Sequence, residues 1–371
     1  MTASKLDVDA LIDDPRTRVI VCCGSGGVGK TTTAAALALR AAERGRQTVV
    51  LTIDPARRLA QSMGLTELDN TPRAVAGADG DLDAMMLDMK RTFDDIVLAH
   101  SDAARAQQIL ANPFYQSLSS SFSGTQEYMA MEKLGQLRAT GAWDLIVVDT
   151  PPSRSALDFL DAPKRLGTFL DGRLIRLLIV PAKAGGRAYL KVISAGVGMV
   201  TSVLTKILGA QVLKDVSLFV TALETMFGGF RERADNTYAL LKAPGTAFLV
   251  EAAPERDALR EAAYFVERLS QERMPLAGLV LNRVHRSAVP SLSAERTVAA
   301  AEELAGRRGA ATAEGVLRLH ADRMVVAARE RRLFERFTAA HPAVAVAEVA
   351  ARSTDVHDLD GLRAVGADLA S

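Results

Sequence analysis

The sequence predicts an α/β protein with a doubly wound, mostly parallel sheet. Short apolar segments rich in β-branched residues alternate with helical patterns, which is typical of a parallel sheet covered by helices on both faces. A glycine-rich loop, residues 24–29, separates the first apolar segment from the first helical one. Hydrophobic residues make up 49% of the 371 residues and charged residues 24%, so the chain can bury a sizeable core.

The first element is the strand predicted over 18–23, an apolar run that the glycine-rich loop interrupts. An Ala/Leu-rich helix is expected from Thr32 to Arg44, and Gly45 follows it as a C-cap. Later apolar runs predict six more strands, over 48–53, 82–87, 145–148, 246–250, 276–281 and 343–349. Residues 255–269 carry apolar side chains at helical spacing, with Glu and Arg on the opposite face, and so predict a helix between two of these strands.

The loop carries the most specific signal in the sequence. Residues 24–31 read G-S-G-G-V-G-K-T and match the phosphate-loop pattern G-x-x-x-x-G-K-[ST] in full. In such a loop backbone N–H groups surround the phosphates, Lys30 reaches the β- and γ-phosphates, and the Thr31 hydroxyl holds Mg²⁺. The alternative is a glycine-rich turn with an incidental lysine. The residues predicted to bind ATP or ADP are Gly24, Ser25, Gly26, Gly27, Val28, Gly29, Lys30, Thr31 and Thr32.

Asp149 is the predicted partner of Thr31 at the metal. It ends the apolar run 145–148, and at the C-terminal edge of a parallel strand its carboxylate faces the phosphate site, where it can bind Mg²⁺ through water.

Asp54 is predicted to be catalytic, together with Lys30. It follows the strand predicted over 48–53, where its carboxylate can orient or deprotonate the water that attacks the γ-phosphate. The alternative is a helix N-cap ahead of Pro55 at the first helical position.

Two long stretches, about 92–140 and 163–244, contain no convincing strand. Both are therefore predicted to be helical insertions. Because the chain shows no internal repeat and one glycine loop, they are assigned to a single phosphate-loop ATPase domain spanning 1–371.

Charge and targeting signals limit the partners and the location of the chain. The formal net charge is +1, so no global electrostatic reason exists to expect nucleic acid as a ligand. The two cysteines are adjacent, point to opposite faces of a strand and cannot act together as a metal clamp, which favours a reducing, cytoplasmic setting. The first 18 residues lack a signal peptide, and no stretch offers the roughly 20 apolar residues of a membrane span. We expect a cytoplasmic protein, at most peripheral to the membrane.

These motifs together resemble the arsenite-pump ATPase family, which includes the targeting ATPase for tail-anchored membrane proteins. The family's deviant phosphate loop G-K-G-G-V-G-K-T-T aligns with residues 24–32, its switch I motif D-P-A-H with 54–57, and its switch II motif D-T-A-P with 149–152. The resemblance covers most of the chain. It implies a dimer that couples ATP hydrolysis to a client, and it assigns adenine recognition to Asn282 in the segment 281–284.

Departures from the family pattern are equally specific. The family's signature lysine, which reaches across a dimer to the partner's phosphates, is replaced by Ser25, and the switch I histidine is Arg57. The cysteines that bind arsenite or structural zinc in relatives are missing. Within the family, the chain resembles the lysine-lacking member of an actinobacterial pair of such ATPases, which implies a heterodimer with a lysine-bearing paralogue.

Three functions follow from the resemblance. The first is a dimeric, nucleotide-dependent switch ATPase that hydrolyses ATP to ADP and phosphate and handles a hydrophobic or membrane-protein client. The second is a hydrolysis-poor regulatory subunit that binds nucleotide to form the heterodimer, and the third is the ATPase subunit of an anion transporter. The apolar helical stripes of 163–213 are the candidate client surface, with core packing as the alternative.

Overall fold

The computed structural model describes residues 4–54, 58–113, 115–116, 125–151, 232, 235–287 and 289–371. The chain divides into two compact units. The first comprises Met1–Met86, Ala142–Ala156 and Leu241–Ser371, and the second comprises Leu87–Gly141 and Leu157–Leu240. The single domain with two insertions stays a prediction, and most of the insertion predicted over 163–244 lies outside the described residues.

An eight-stranded sheet forms the centre of the first unit, in the order β3-β4-β2-β5-β1-β6-β7-β8. All neighbouring strands pair in parallel except β3 and β4. The strands are β1 (Val19–Gly24), β2 (Thr48–Thr52), β3 (Arg73–Ala74), β4 (Leu82–Met86), β5 (Leu145–Asp149), β6 (Thr246–Ala252), β7 (Leu276–Val284) and β8 (Val346–Ala350). The seven predicted strands are all present, so the predicted fold class is confirmed.

The sheet is buried on both faces. Every residue of β1, β2, β5 and β6 is buried, which explains why these strands appear in the sequence as continuous apolar runs. Several strands continue past their predicted ends, most clearly β6, which continues to Ala252, and β7, which continues to Val284. The added residues include Glu251 and Asn282, polar side chains that are nevertheless buried.

The first unit also contains helices, some of which pack on this sheet and others on one another. They are α1 (Val8–Asp13), α2 (Lys30–Glu43), α3 (Arg58–Ser62), α7 (Arg256–Gln271), α8 (Ala294–Leu304), α9 (Ala311–Ala340) and α10 (Leu359–Ala370). The helix predicted from Thr32 begins at Lys30, because the last two residues of the phosphate-loop motif form its first turn. Gly45 follows it with a φ of +89°, the left-handed conformation expected of a C-cap.

The second unit is helical where it is described, as expected for the stretch 92–140. Its helices are α4 (Met89–His100), α5 (Ala103–Leu110) and α6 (Thr125–Thr140). Tyr115 is fully buried there, with its ring edge-on to Phe93 and its hydroxyl 2.5 Å from Asp94 Oδ1. Within the described ranges, no helix has the length and apolar character needed to cross a membrane.

The acidic C-terminal segment forms α10 and packs against α2. Asp358 caps it by accepting a 2.7 Å hydrogen bond from the Gly361 N–H. Its buried face belongs to the same hydrophobic cluster as the alanine-rich α2 and includes Leu362, Val365 and Leu369. The small side chains of α2 let the two helices approach closely, so α10 is part of the core.

We therefore expect Leu362→Ala to lower the free energy of unfolding by about 2–4 kcal/mol, since Leu362 is fully buried between α10 and α2. The matched control is Leu319→Ala on α9, where the leucine is 70% exposed and the change should stay within about 0.5 kcal/mol. Denaturant unfolding followed by circular dichroism measures both. Equal effects of the two substitutions would contradict the placement of α10.

Candidate functional site

Polar side chains lie at or near the C-terminal ends of four central strands, on the face that α2 covers. They are Thr52 on β2, Asp149 on β5, Glu251 on β6 and Asn282 on β7. Each stands two positions beyond an apolar residue of the core cluster beneath α2, and side chains two apart on a strand point to the same face. The four therefore point towards the start of α2, where the phosphate loop lies.

The loop between β1 and α2 has no room for side chains at two of its glycines. A Cβ on Gly24 would lie 2.3 Å from the backbone oxygen of Glu251, and one on Gly29 would lie 2.1 Å from Asn282 Nδ2. Gly29 also has a φ of +105° and, as the N-cap of α2, offers no side chain to its first turn. The N–H groups of that turn thus remain for a ligand, as expected of an anion-binding helix N-terminus.

Lys30 folds back over the loop. Its ammonium Nζ donates a 2.8 Å hydrogen bond to the backbone oxygen of Ser25, and the residue is only 6% exposed. An ammonium has three N–H donors, so this bond leaves two for phosphate oxygens. The Lys30 ammonium is therefore held at the loop by the backbone of Ser25, and its role at the phosphates stays a prediction.

Asp149 lies between two hydroxyl groups. Thr31 Oγ1 and Thr52 Oγ1 each lie 2.8 Å from Asp149 Oδ2 and donate to it. Oδ1 is buried and, among the described residues, has no hydrogen-bond partner. Burial raises the pKa of Asp149 to about 6, against the opposing effects of the two hydroxyls and Lys30. A buried carboxylate with an unused oxygen beside the Thr31 hydroxyl fits a Mg²⁺ site, which Thr31 and Asp149 would hold.

Asp54 lies next to this cluster. Its backbone N–H donates to Thr52 Oγ1 at 3.2 Å, and the preceding N–H, of Ile53, donates to the backbone oxygen of Asp149 at 3.0 Å. The charge of Asp54 contributes to the raised pKa of Asp149. The structure brings Asp54 to the edge where Lys30, Thr31 and Asp149 meet. Residues 55–57 lie outside the described residues, so the helix-cap alternative stays open.

Asn282 is bonded to the phosphate loop itself. Its Nδ2 donates to the Val28 backbone oxygen, and its Oδ1 accepts from the Arg283 N–H, both at 2.8 Å. Arg283 has a φ of +63°, a strained conformation for a residue with a side chain. A cleft of about 240 Å³ lies beside this turn, lined by Gly29, Thr32, Asn282, Arg283 and the segment 349–356. Adenine recognition by Asn282 stays a prediction.

A larger cleft, of about 700 Å³, lies away from the phosphate loop, between α9 and the ends of β7 and β8. His285 lines both clefts. Its Nδ1 lies 2.6 Å from Glu330 Oε1, so it connects the end of β7 to α9. The spacing of the histidines along the sequence does not single out His285.

Sequence reasoning also missed Thr52 and Glu251. Both are polar residues at the end of an apolar run, which is the signal that identified Asp149. Glu251 falls one residue beyond the strand predicted over 246–250, and Thr52 was counted as an ordinary strand residue. A systematic search for polar residues at the ends of buried strands would have found both.

Comparison with known proteins confirms the family resemblance. A family model described as anion-transporting ATPase matches residues 17–299. An uncharacterized protein of Streptomyces coelicolor is 34% identical over 192 residues, which cover 50% of this chain and 47% of that protein. ATPase GET3 of Ajellomyces dermatitidis is 31% identical over 170 residues (45% and 49%), and ATPase get3 of Aspergillus terreus is 30% identical over 182 residues (48% and 51%). The chain thus spans about half the length of the curated relatives it matches.

The raised pKa of Asp149 predicts how the ligand-free protein responds to pH. Because the folded carboxyl titrates near pH 6 and an unfolded aspartate near 3.9, the folded state keeps a proton that the unfolded chain releases between these values. Asp149 therefore lowers the free energy of unfolding as the pH rises from 4 to 6. We expect Asp149→Asn to be stabilised relative to the parent by about 1–3 kcal/mol at pH 7.5, and by little at pH 4.

Denaturant unfolding at the two pH values checks this expectation. The exposed Asp81 provides the control, since Asp81→Asn should leave the difference between the two pH values unchanged. A difference between Asp149→Asn and the parent that is the same at pH 4 and pH 7.5 would show that the carboxyl titrates as an ordinary aspartate.

Proposed function

Because this chain belongs to the anion-transporting ATPase family, we propose that it binds MgATP at its phosphate loop and hydrolyses it to ADP and phosphate. The observation that supports this most directly is the cluster of Lys30, Thr31 and Asp149 at the start of α2. Its lysine, hydroxyl and under-bonded carboxylate are the groups that phosphoryl transfer requires.

Each residue has a defined task in this proposal. The open N–H groups of the first turn of α2 bind phosphate oxygens, and Lys30 stabilises the negative charge on the β- and γ-phosphates. Mg²⁺, when bound, neutralises phosphate charge, with Thr31 and Asp149 as its protein ligands. Asp54 orients the attacking water and accepts its proton as the bond from water to phosphorus forms and the bond to ADP breaks. Asn282 fixes the loop through Val28 and contacts the adenine.

We further propose that hydrolysis operates a cytoplasmic dimeric switch that handles a hydrophobic or membrane-protein client. The resemblance to the tail-anchored protein targeting ATPase supports this proposal. The candidate client surface, 163–213, lies outside the described residues. The description of the family as anion-transporting supports the alternative, the ATPase subunit of an anion transporter that docks at the membrane from the cytoplasmic side.

Ser25 supports a second candidate function, a regulatory subunit with little hydrolysis of its own. The residue is buried, with 8% exposed, and its backbone oxygen already engages Lys30. Its neutral side chain cannot supply the charge that the family's second lysine carries into a partner's site. On this proposal the chain forms a heterodimer with a lysine-bearing paralogue, whose lysine completes the site around Lys30.

Two substitutions separate nucleotide binding from hydrolysis. We expect Lys30→Ala to abolish binding of MgATP in calorimetry, because it removes the main cation for the β- and γ-phosphates.

Asp54→Asn should bind with the parental affinity yet lose about 10²-fold or more in turnover, since only the proton acceptor is changed. Unchanged affinity in the lysine variant, or parental turnover in the asparagine variant, would refute the corresponding assignment.

The role of Ser25 is tested by adding the missing charge. We expect Ser25→Lys to raise the ATPase rate of this chain, assayed as a homodimer without the paralogue, by at least about tenfold. The reason is that a cation acting from a second subunit contributes ~10³-fold or more in related chemistry. Ser25→Ala is the matched control, since it changes the side chain without adding charge, and it should leave the rate unchanged. A parent chain that already turns over as fast as the lysine variant would contradict the proposal.

A further inference from the structure

Glu251 is a buried carboxyl group that the proposed hydrolysis does not use. It lies opposite Gly24, at the last paired position of β6 and β1, and is 1% exposed. Neither of its carboxylate oxygens has a hydrogen-bond partner among the described residues. Burying an unpaired carboxylate is costly, so the residue is expected to be uncharged or to have a counter-charge available.

The groups around Glu251 belong to the phosphate site. It is buried beneath the first turn of α2, where the Thr33 hydroxyl also lacks a hydrogen-bond partner within the described part of the chain. Burial raises the pKa of Glu251 to about 8, and the charge of Asp149 on β5 adds to this effect. Lys30 on α2 supplies the opposing positive charge, and the neighbouring Thr33 hydroxyl and Cys22 thiol oppose the rise in the pKa as well. The thiols of Cys22 and Cys23 on β1 complete the titratable neighbours, and burial raises the pKa of both.

Lys30 is therefore subject to two competing attractions. In the ligand-free protein it donates to the neutral backbone oxygen of Ser25. Bound phosphates would attract it outward, whereas an ionised Glu251 beneath the loop would attract it towards the sheet. The same carboxylate would also repel the phosphates, since both are negative and little water lies between them.

We propose that Glu251 is a positioning residue of the nucleotide site: as a neutral acid it leaves the Lys30 ammonium to the phosphates, and as a carboxylate it withdraws that ammonium and weakens nucleotide binding. The second half of this statement rests on the proposed function, because it requires a nucleotide at the loop. The first half concerns this chain alone, since it states that Lys30 and Glu251 are coupled by charge.

The nucleotide part is tested by measuring the Kd of MgADP in calorimetry at pH 7, 8 and 9. MgADP is chosen because its phosphates do not titrate in this range. The parent should lose about fivefold or more in affinity between pH 7 and pH 9, as Glu251 ionises. Glu251→Gln should keep nearly the same Kd throughout. The matched control, Glu255→Gln, changes an exposed glutamate four residues away and should follow the parent.

The ligand-free part is tested by thermal unfolding. The folded carboxyl of Glu251 titrates near pH 8 and an unfolded glutamate near 4.3, so the parent loses stability as the pH rises between these values. The Tm of Glu251→Gln should therefore exceed that of the parent by an amount that grows from pH 5 to pH 8. Above pH 8 this loss should level off in the parent but continue in Lys30→Met, because without its counter-charge the carboxyl ionises only at a higher pH.

The two parts fail separately. Absence of nucleotide binding at any pH would refute the proposed function, while the Tm series would still decide whether Lys30 and Glu251 are coupled. An affinity profile of Glu251→Gln that falls like that of the parent would overturn the positioning role. Equal slopes of Tm above pH 8 in the parent and Lys30→Met would overturn the coupling. Glu251→Val, which suits a buried strand, serves the same comparisons if the glutamine variant does not fold.

Discussion

The close approach of α2 to the ends of β6 and β7 is the constraint on which the rest of the site depends. Gly24 and Gly29 bring the loop so near to Glu251 and Asn282 that a methyl group at either position would overlap its neighbour. This contact sets where the first turn of α2 begins, and thereby where Lys30 and Thr31 point. The alanine-rich body of α2 and the buried face of α10 hold the helix down on the sheet from its other end. The geometry of the phosphate site is thus determined by packing at both ends of one helix.

That same packing leaves the ligand-free site electrostatically unsatisfied. Asp149 and Glu251 stand at the ends of the two strands that flank β1, and burial raises the pKa of each. Three of their four oxygens lack a hydrogen-bond partner among the described residues. Buried polar groups without partners destabilise a fold, so their presence indicates a functional role. A bound metal ion and a set of phosphates would supply the missing partners, so the site is arranged for the ligand at some cost in stability.

The sheet could be predicted from the sequence because its strands are buried on both faces and form continuous apolar runs between glycines and helical patterns. The phosphate loop was equally clear, since it follows from a fixed spacing. The errors occur where burial comes from tertiary packing. The strand predicted to end at Val250 continues through Glu251 because α2 covers that residue, which local sequence does not show. The two-residue β3 is too short for a pattern, and α9 is a 30-residue helix with only two buried residues, so its periodicity is weak.

The balance of charge at the loop finally bears on why a second subunit would be needed. One lysine, Lys30, lies close to two carboxyl groups, those of Asp149 and Glu251, and Asp54 adds a third beside Asp149, before any phosphate is bound. A nucleotide triphosphate adds several negative charges, and the helix N-terminus and a magnesium ion offset only part of them. The second position of the loop is Ser25, which adds no charge. Among the described residues the loop thus has one lysine for a highly charged ligand, and this shortage supports our proposal of a partner that contributes a cation to the site.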